Sequence, residues 1–162
     1  MSKNQKKIWI TGASSGIGKA LAEKFALEGW KVAASARRKE ILDEMAHNEN
    51  TSSYPLDVTN QDQIKNVFTK IINDFGNVDL CVFSSGTYDP KLEHEINIKQ
   101  NKFVMETNFF GVLYCIKSVE KYFKDKRSGH ISIVSSVAAY RGLPNSSGYG
   151  PSKAALTNLT ES

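Results

Sequence analysis

Cysteine is scarce in this chain of 162 residues, with two in all. Cys81 and Cys115 sit inside apolar stretches and share no Cys-x-x-Cys spacing. That argues against a disulfide framework or a zinc ribbon and fits a reduced, cytoplasmic protein with both thiols in its core. The three histidines, His47, His94 and His130, share no ligand spacing, so no structural metal is expected. Long hydrophobic runs are missing. Nothing approaches a membrane span, and the apolar run in "MSKNQKKIWITGAS" is too short for a signal peptide. Blocks of one charge are missing too. The 21 Lys and Arg residues against 17 acidic ones give a net charge of +4, but they are scattered. Without an arginine-rich arm or an aromatic RNA-binding strand, nucleic acid is not an expected partner.

What is present fits one globular domain: 40% hydrophobic and 23% charged residues, with no repeat, linker or low-complexity segment. Short apolar runs alternate with helical patterns. Strands are predicted over Lys7 to Thr11, Lys31 to Ala36, Ser53 to Val58, Val78 to Ser85 and His130 to Ser136. Helices are predicted over Gly16 to Glu28, Arg38 to His47, Gln61 to Phe75 and Asn97 to Lys124, with a last one opening near Tyr149. This alternation predicts an α/β, doubly wound parallel sheet of the Rossmann type, which binds ligands beyond the carboxyl ends of its strands.

The first strand runs into "TGASSGIG", with Gly12, Gly16 and Gly18. Glycines here let the backbone turn sharply and approach a pyrophosphate at a helix N-terminus, which predicts a dinucleotide. An acid at the end of the second strand would accept from the ribose hydroxyls of NAD(H). This chain has Ala36 there, followed by Arg37 and Arg38. Guanidinium groups pair with a 2′-phosphate, so NADP(H) is favoured over NAD(H). Arg37 is the stronger candidate, because Arg38 also reads as a solvated helix start.

Tyr149 and Lys153 are four residues apart and share a helix face. A free tyrosine, with a pKa of about 10, is a poor base near neutrality; an adjacent ammonium stabilises its phenolate. Ser136 ends the fifth strand thirteen residues before Tyr149. A hydroxyl at a strand end, beside a helix start carrying Tyr and Lys, suits one substrate oxygen. Asn108 is a polar residue on an apolar helical stretch, and also reads as a satisfied helix asparagine.

Together "TGASSGIG", "LDVT", "TNFFG", "IVSS" and "YGPSK", in that order, resemble the short-chain dehydrogenase/reductase family from Lys6 onward. The resemblance implies Tyr149 as general acid/base, with Lys153 as its electrostatic partner on the nicotinamide ribose. It implies Ser136 orienting the substrate oxygen and Asn108 holding a water in a proton relay. Ser14, Ser15, Gly16, Ile17 and Gly18 would line the cofactor, Asp57 and Val58 edge the adenine, and Gly86 admit the backbone closely. The implied reaction is hydride transfer between NADP(H) and a small carbonyl or alcohol. Homo-oligomerisation through the long helix is implied by the same resemblance.

Two departures stand out. Where the family usually shows Asn-Asn-Ala-Gly, this chain has Phe83-Ser84-Ser85-Gly86, and Pro151 lies between the catalytic pair. Family members also continue beyond the position of Ser162, so the domain is expected to be incomplete at its C-terminus, with the fifth strand left as an edge. Two further readings stay open: a nucleotide-binding protein without turnover, and an interaction module that binds no cofactor.

Overall fold

The computed structural model describes residues 5–162. Five parallel strands form one sheet in the order β3-β2-β1-β4-β5. They are β1 (Lys7–Thr11), β2 (Lys31–Ser35), β3 (Thr51–Ser53), β4 (Leu80–Phe83) and β5 (His130–Ile133). Six α-helices connect or follow them: α1 (Gly16–Leu27), α2 (Lys39–Met45), α3 (Gln61–Phe75), α4 (Ile98–Met105), α5 (Gly111–Lys126) and α6 (Tyr149–Glu161).

Alternation along β1 splits the core in two. Trp9 points to one face, where Phe68 stacks on it at 5.4 Å and Phe83 meets it edge-on at 5.7 Å. Ile64, Ile71, Val112, Cys115 and Val119 of α3 and α5 complete that layer. Ile8 and Ile10 point to the other face, against Ala22, Ala26 and Leu42 of α1 and α2. Both cysteines are free and buried. Strand order reverses between β1 and β4, so the loops after these strands diverge and leave a crevice.

Three predicted elements need correction. The third strand is Thr51–Ser53, not Ser53 to Val58. The chain stays extended along β2, with Tyr54 and Leu56 donating their amides to Ala34 and Ala36 at 2.9 Å. Pro55 lies between them, with its missing N–H on the outer edge of the sheet, where no partner strand needs it. The long helix is interrupted: Glu106–Phe110 between α4 and α5 is π-helical. The fifth strand stops at Ile133, and Ser136 instead caps a 3-10 turn over Val137–Ala139.

α3 follows the prediction because both signals are local. The Asn60 side chain accepts from the Gln63 amide at its start, and Gly76 adopts φ 79° at its end.

Candidate functional site

A cleft of about 520 Å3 lies over the carboxyl ends of β1, β2 and β4. It brings together Gly12, Ser14, Ser15, Gly16, Ile17, Arg37, Arg38, Asp57, Val58, Gly86, Tyr149 and Lys153, all singled out from the sequence. Gly18, Asn108 and Ser136 are absent from its lining.

One wall is the glycine loop. Gly12 has φ +72°, and a Cβ there would meet the Ser84 carbonyl at 2.8 Å. A Cβ on Gly18 would lie 2.3 Å from the Gly12 oxygen, so Gly18 underpins the loop and does not line the cleft. At the start of α1, Ser15 makes no side-chain cap, and no acid lies in the first turn. The positive end of α1 is therefore uncompensated within the helix and suits an anion.

The two arginines do different things. Arg38 donates from Nη2 to the Ser14 hydroxyl at 2.9 Å and to its carbonyl at 3.1 Å, and from Nε to the hydroxyl at 3.1 Å. It is a clamp on the glycine loop, a role that neither a solvated helix start nor phosphate pairing anticipates. Arg37 is solvent-exposed on the cleft lining. Its guanidinium suits a phosphate.

Asp57 organises the next loop. Its Oδ1 accepts from the Thr59 amide at 3.0 Å and the Thr59 hydroxyl at 2.9 Å. Val58 is buried against Gly111, where a Cβ would approach Val58 Cγ2 to 2.7 Å. The "LDVT" and "TNFFG" segments are thus in direct contact.

Tyr149 opens α6 and Lys153 follows one turn later. The Lys153 ammonium is buried, donates to the Val134 carbonyl at 2.8 Å, and lies 5.8 Å from the centre of the Tyr149 ring. Burial pushes its pKa below the ordinary lysine value. Pro151 fits because it sits in the first turn of α6, where the missing N–H is no loss. Gly86 lies beside this pair: a Cβ there would lie 3.6 Å from Lys153 Nζ and 3.5 Å from Asn108 Oδ1, in ordinary contact with both.

Asn108 sits within the π-helical turn, fully buried. Its Oδ1 accepts from the Thr87 amide at 2.7 Å, while Nδ2 donates to the Thr87 carbonyl at 2.9 Å and Ser152 Oγ at 3.1 Å. Both of its donors are engaged, so the side chain is a strut joining the loop after β4 to α6. The neighbouring serines also separate in role. Ser135 bonds Thr157 at 2.8 Å and is tied to α6, whereas the Ser136 hydroxyl accepts only a 3.2 Å bond from the Ala138 amide.

Two residues here escape sequence reasoning. Tyr88 lays its ring 4.6 Å from that of Tyr149 and donates its hydroxyl to the Asn145 carbonyl at 3.0 Å. Glu93, from the polar loop after β4, is only 2% exposed. Both lie in a stretch without periodicity, and no spacing marks them.

A Rossmann-type sheet with a glycine loop on one side of the crevice and a Tyr-Lys pair on the other defines a class of dinucleotide-dependent oxidoreductases. The chain belongs to the short chain dehydrogenase family, whose model matches residues 6–162. It is 31% identical over 165 residues to an uncharacterized oxidoreductase of Staphylococcus epidermidis, covering 100% of this chain and 72% of that one. It is 35% identical over 157 residues to the 3-oxoacyl-[acyl-carrier-protein] reductase of Thermotoga maritima, covering 94% of this chain and 64% of that one. Among solved structures, ElxO with NADP bound superposes with a TM-score of 0.88 at 30% identity, covering 96% of this chain and 65% of that one. The chain therefore spans roughly two thirds of the length of these relatives. Among the described residues, no helix is long and apolar enough to cross a membrane.

Proposed function

We propose that the protein carrying this chain is an NADP(H)-dependent oxidoreductase that interconverts a small carbonyl and its alcohol. The observation that carries the reading is the buried Lys153 ammonium beside the Tyr149 ring, on the same cleft as the glycine loop and Arg37. The residues present fit a dinucleotide phosphate. The uncapped start of α1 and the close-packed glycine loop suit the pyrophosphate, Arg37 suits the 2′-phosphate, and Asp57 and Val58, on the same cleft, would edge the adenine. NADP(H), when bound, supplies or accepts the hydride.

The chain's own residues handle the proton and the geometry. In the reductive direction the Tyr149 hydroxyl donates its proton to the substrate oxygen, which becomes the alcohol; in the oxidative direction the phenolate takes it back. Lys153 favours the phenolate by its charge and would also bond the ribose of a bound nicotinamide. The Ser136 hydroxyl, lightly engaged within the chain, donates to the substrate oxygen and orients it. Asn108 holds the loop after β4 against α6, with its side chain engaged by Thr87 and Ser152. Positioning of this kind lowers barriers by about 7–11 kcal/mol when reacting groups are held in line.

Cys81 and Cys115, both reduced and buried, fit a cytoplasmic protein. Phe103 and Phe110, 45% and 38% exposed on the long helix, fit self-association there. The test is NADPH consumption in the presence of a panel of ketones and aldehydes, against NADH as control. Faster consumption with NADPH supports the reading. NADPH binding without consumption for any carbonyl would favour a nucleotide-binding protein instead.

A further inference from the structure

We propose that Glu93 is a positioning residue for Tyr149, an inference that rests on Tyr149 being the proton-transferring group. Glu93 lies in the loop between β4 and α4 and is far from Tyr149 in sequence. Its Oε2 accepts from the Gly148 amide and from the Tyr149 amide, both at 2.9 Å. The side chain is 2% exposed, and its Oε1 has no hydrogen-bond partner. A buried carboxylate left half-satisfied is costly unless something specific compensates it. Here the compensation is the free-amide end of α6, where backbone dipoles favour a negative group.

The first turn of α6 is then fully accounted for. Gly148 and Tyr149 donate to Glu93. Gly150 donates to the Ser146 hydroxyl at 2.9 Å. Pro151 has no amide hydrogen to place. Tyr149 is the first residue of the helix, so the angle at which its ring enters the cleft depends on how this turn is held. A fraying first turn moves Tyr149 relative to Lys153, which is fixed one turn deeper by Val134. On the opposite wall, the start of α1 has neither a side-chain cap nor a first-turn acid. One helix end is left for an external anion; the other is closed by the protein's own carboxylate.

The test compares Glu93→Ala and Glu93→Gln with the full chain. Glutamine keeps one oxygen able to accept both amides, and alanine removes it. Amide hydrogen exchange at Gly148 and Tyr149 is measured, along with NADPH affinity and turnover of a ketone probe, ethyl acetoacetate. Glu93→Ala should speed exchange at these two amides. It should also lower kcat about tenfold to a hundredfold, the scale of a small misplacement of a catalytic group. NADPH affinity should stay close to wild type, and Glu93→Gln should restore kcat to within about threefold, because the acceptor geometry returns. Unchanged exchange in Glu93→Ala overturns the proposal. So does faster exchange with unchanged kcat, which would leave only a stability cap, or a glutamine variant as slow as alanine. If the wild-type chain does not reduce the ketone, the assigned reaction is what fails, and the amide exchange alone decides whether Glu93 holds Tyr149.

Discussion

The ammonium of Lys153 lies 5.8 Å from the centre of the Tyr149 ring. It is 4% exposed, and its bond to the Val134 carbonyl holds it on the cleft floor. Burial depresses its pKa from the usual 10.5. The unfolded chain therefore binds this proton more readily than the native one. The sign follows: the buried charge costs stability at lower pH, and stability rises as pH climbs through the window between the lowered native pKa and 10.5. Urea unfolding across that window should show a steeper gain for wild type than for Lys153→Met. Parallel curves would mean that burial does not lower the pKa of this lysine in the native state.

Tyr149→Phe removes the hydroxyl and keeps the ring against Tyr88. Turnover should fall by about 10²–10⁴-fold, the contribution of a positioned acid or base. NADPH affinity, read by fluorescence titration, should stay nearly unchanged. A variant that keeps most of its activity would remove Tyr149 from the mechanism.

Arg37 and Arg38 should separate cleanly. Arg37→Ala should weaken NADPH by about 1.5–3 kcal/mol, the scale of a charge-assisted hydrogen bond, and leave NADH close to wild type. Arg38→Ala releases Ser14 and slackens the glycine loop, so both nucleotides should lose affinity together. The check is a pair of binding isotherms for each variant. Equal losses for both nucleotides in Arg37→Ala would contradict the 2′-phosphate assignment.

Gly12→Ala places a side chain at φ +72°, with its Cβ 2.8 Å from backbone atoms of Ser84 and Ser85. Neither segment can yield cheaply, since one follows β1 and the other β4. The variant should lose about 1–3 kcal/mol of stability and bind neither nucleotide. Thermal unfolding and titration together check it.

The parts of this fold legible in the sequence are those set by local signals. Gly76 stands where α3 ends, and the apolar spacing of α3 is as local a signal. The glycine loop and the Tyr149–Lys153 spacing are equally local, and the structure sets both on one cleft. What escaped depends on contacts distant in sequence. The π-helical turn carries Asn108 to both Thr87 and Ser152, partners on separate segments. Arg38 reads as a helix-start charge because its partner, Ser14, lies 24 residues away. Glu93 is one acid among several in a polar loop until α6 folds over it. Ser136 is legible by spacing, but its place on a 3-10 turn comes from the early end of β5, where the chain leaves the sheet.

The most direct measurement is a thermal melt of this chain alone and with NADPH or NADH at equal concentration. A ligand that binds only the native state raises the transition by mass action. A cooperative transition raised more by NADPH than by NADH is expected from the uncapped start of α1 and the exposed Arg37. A cooperative transition that neither nucleotide moves would contradict the assignment of this cleft to NADP(H).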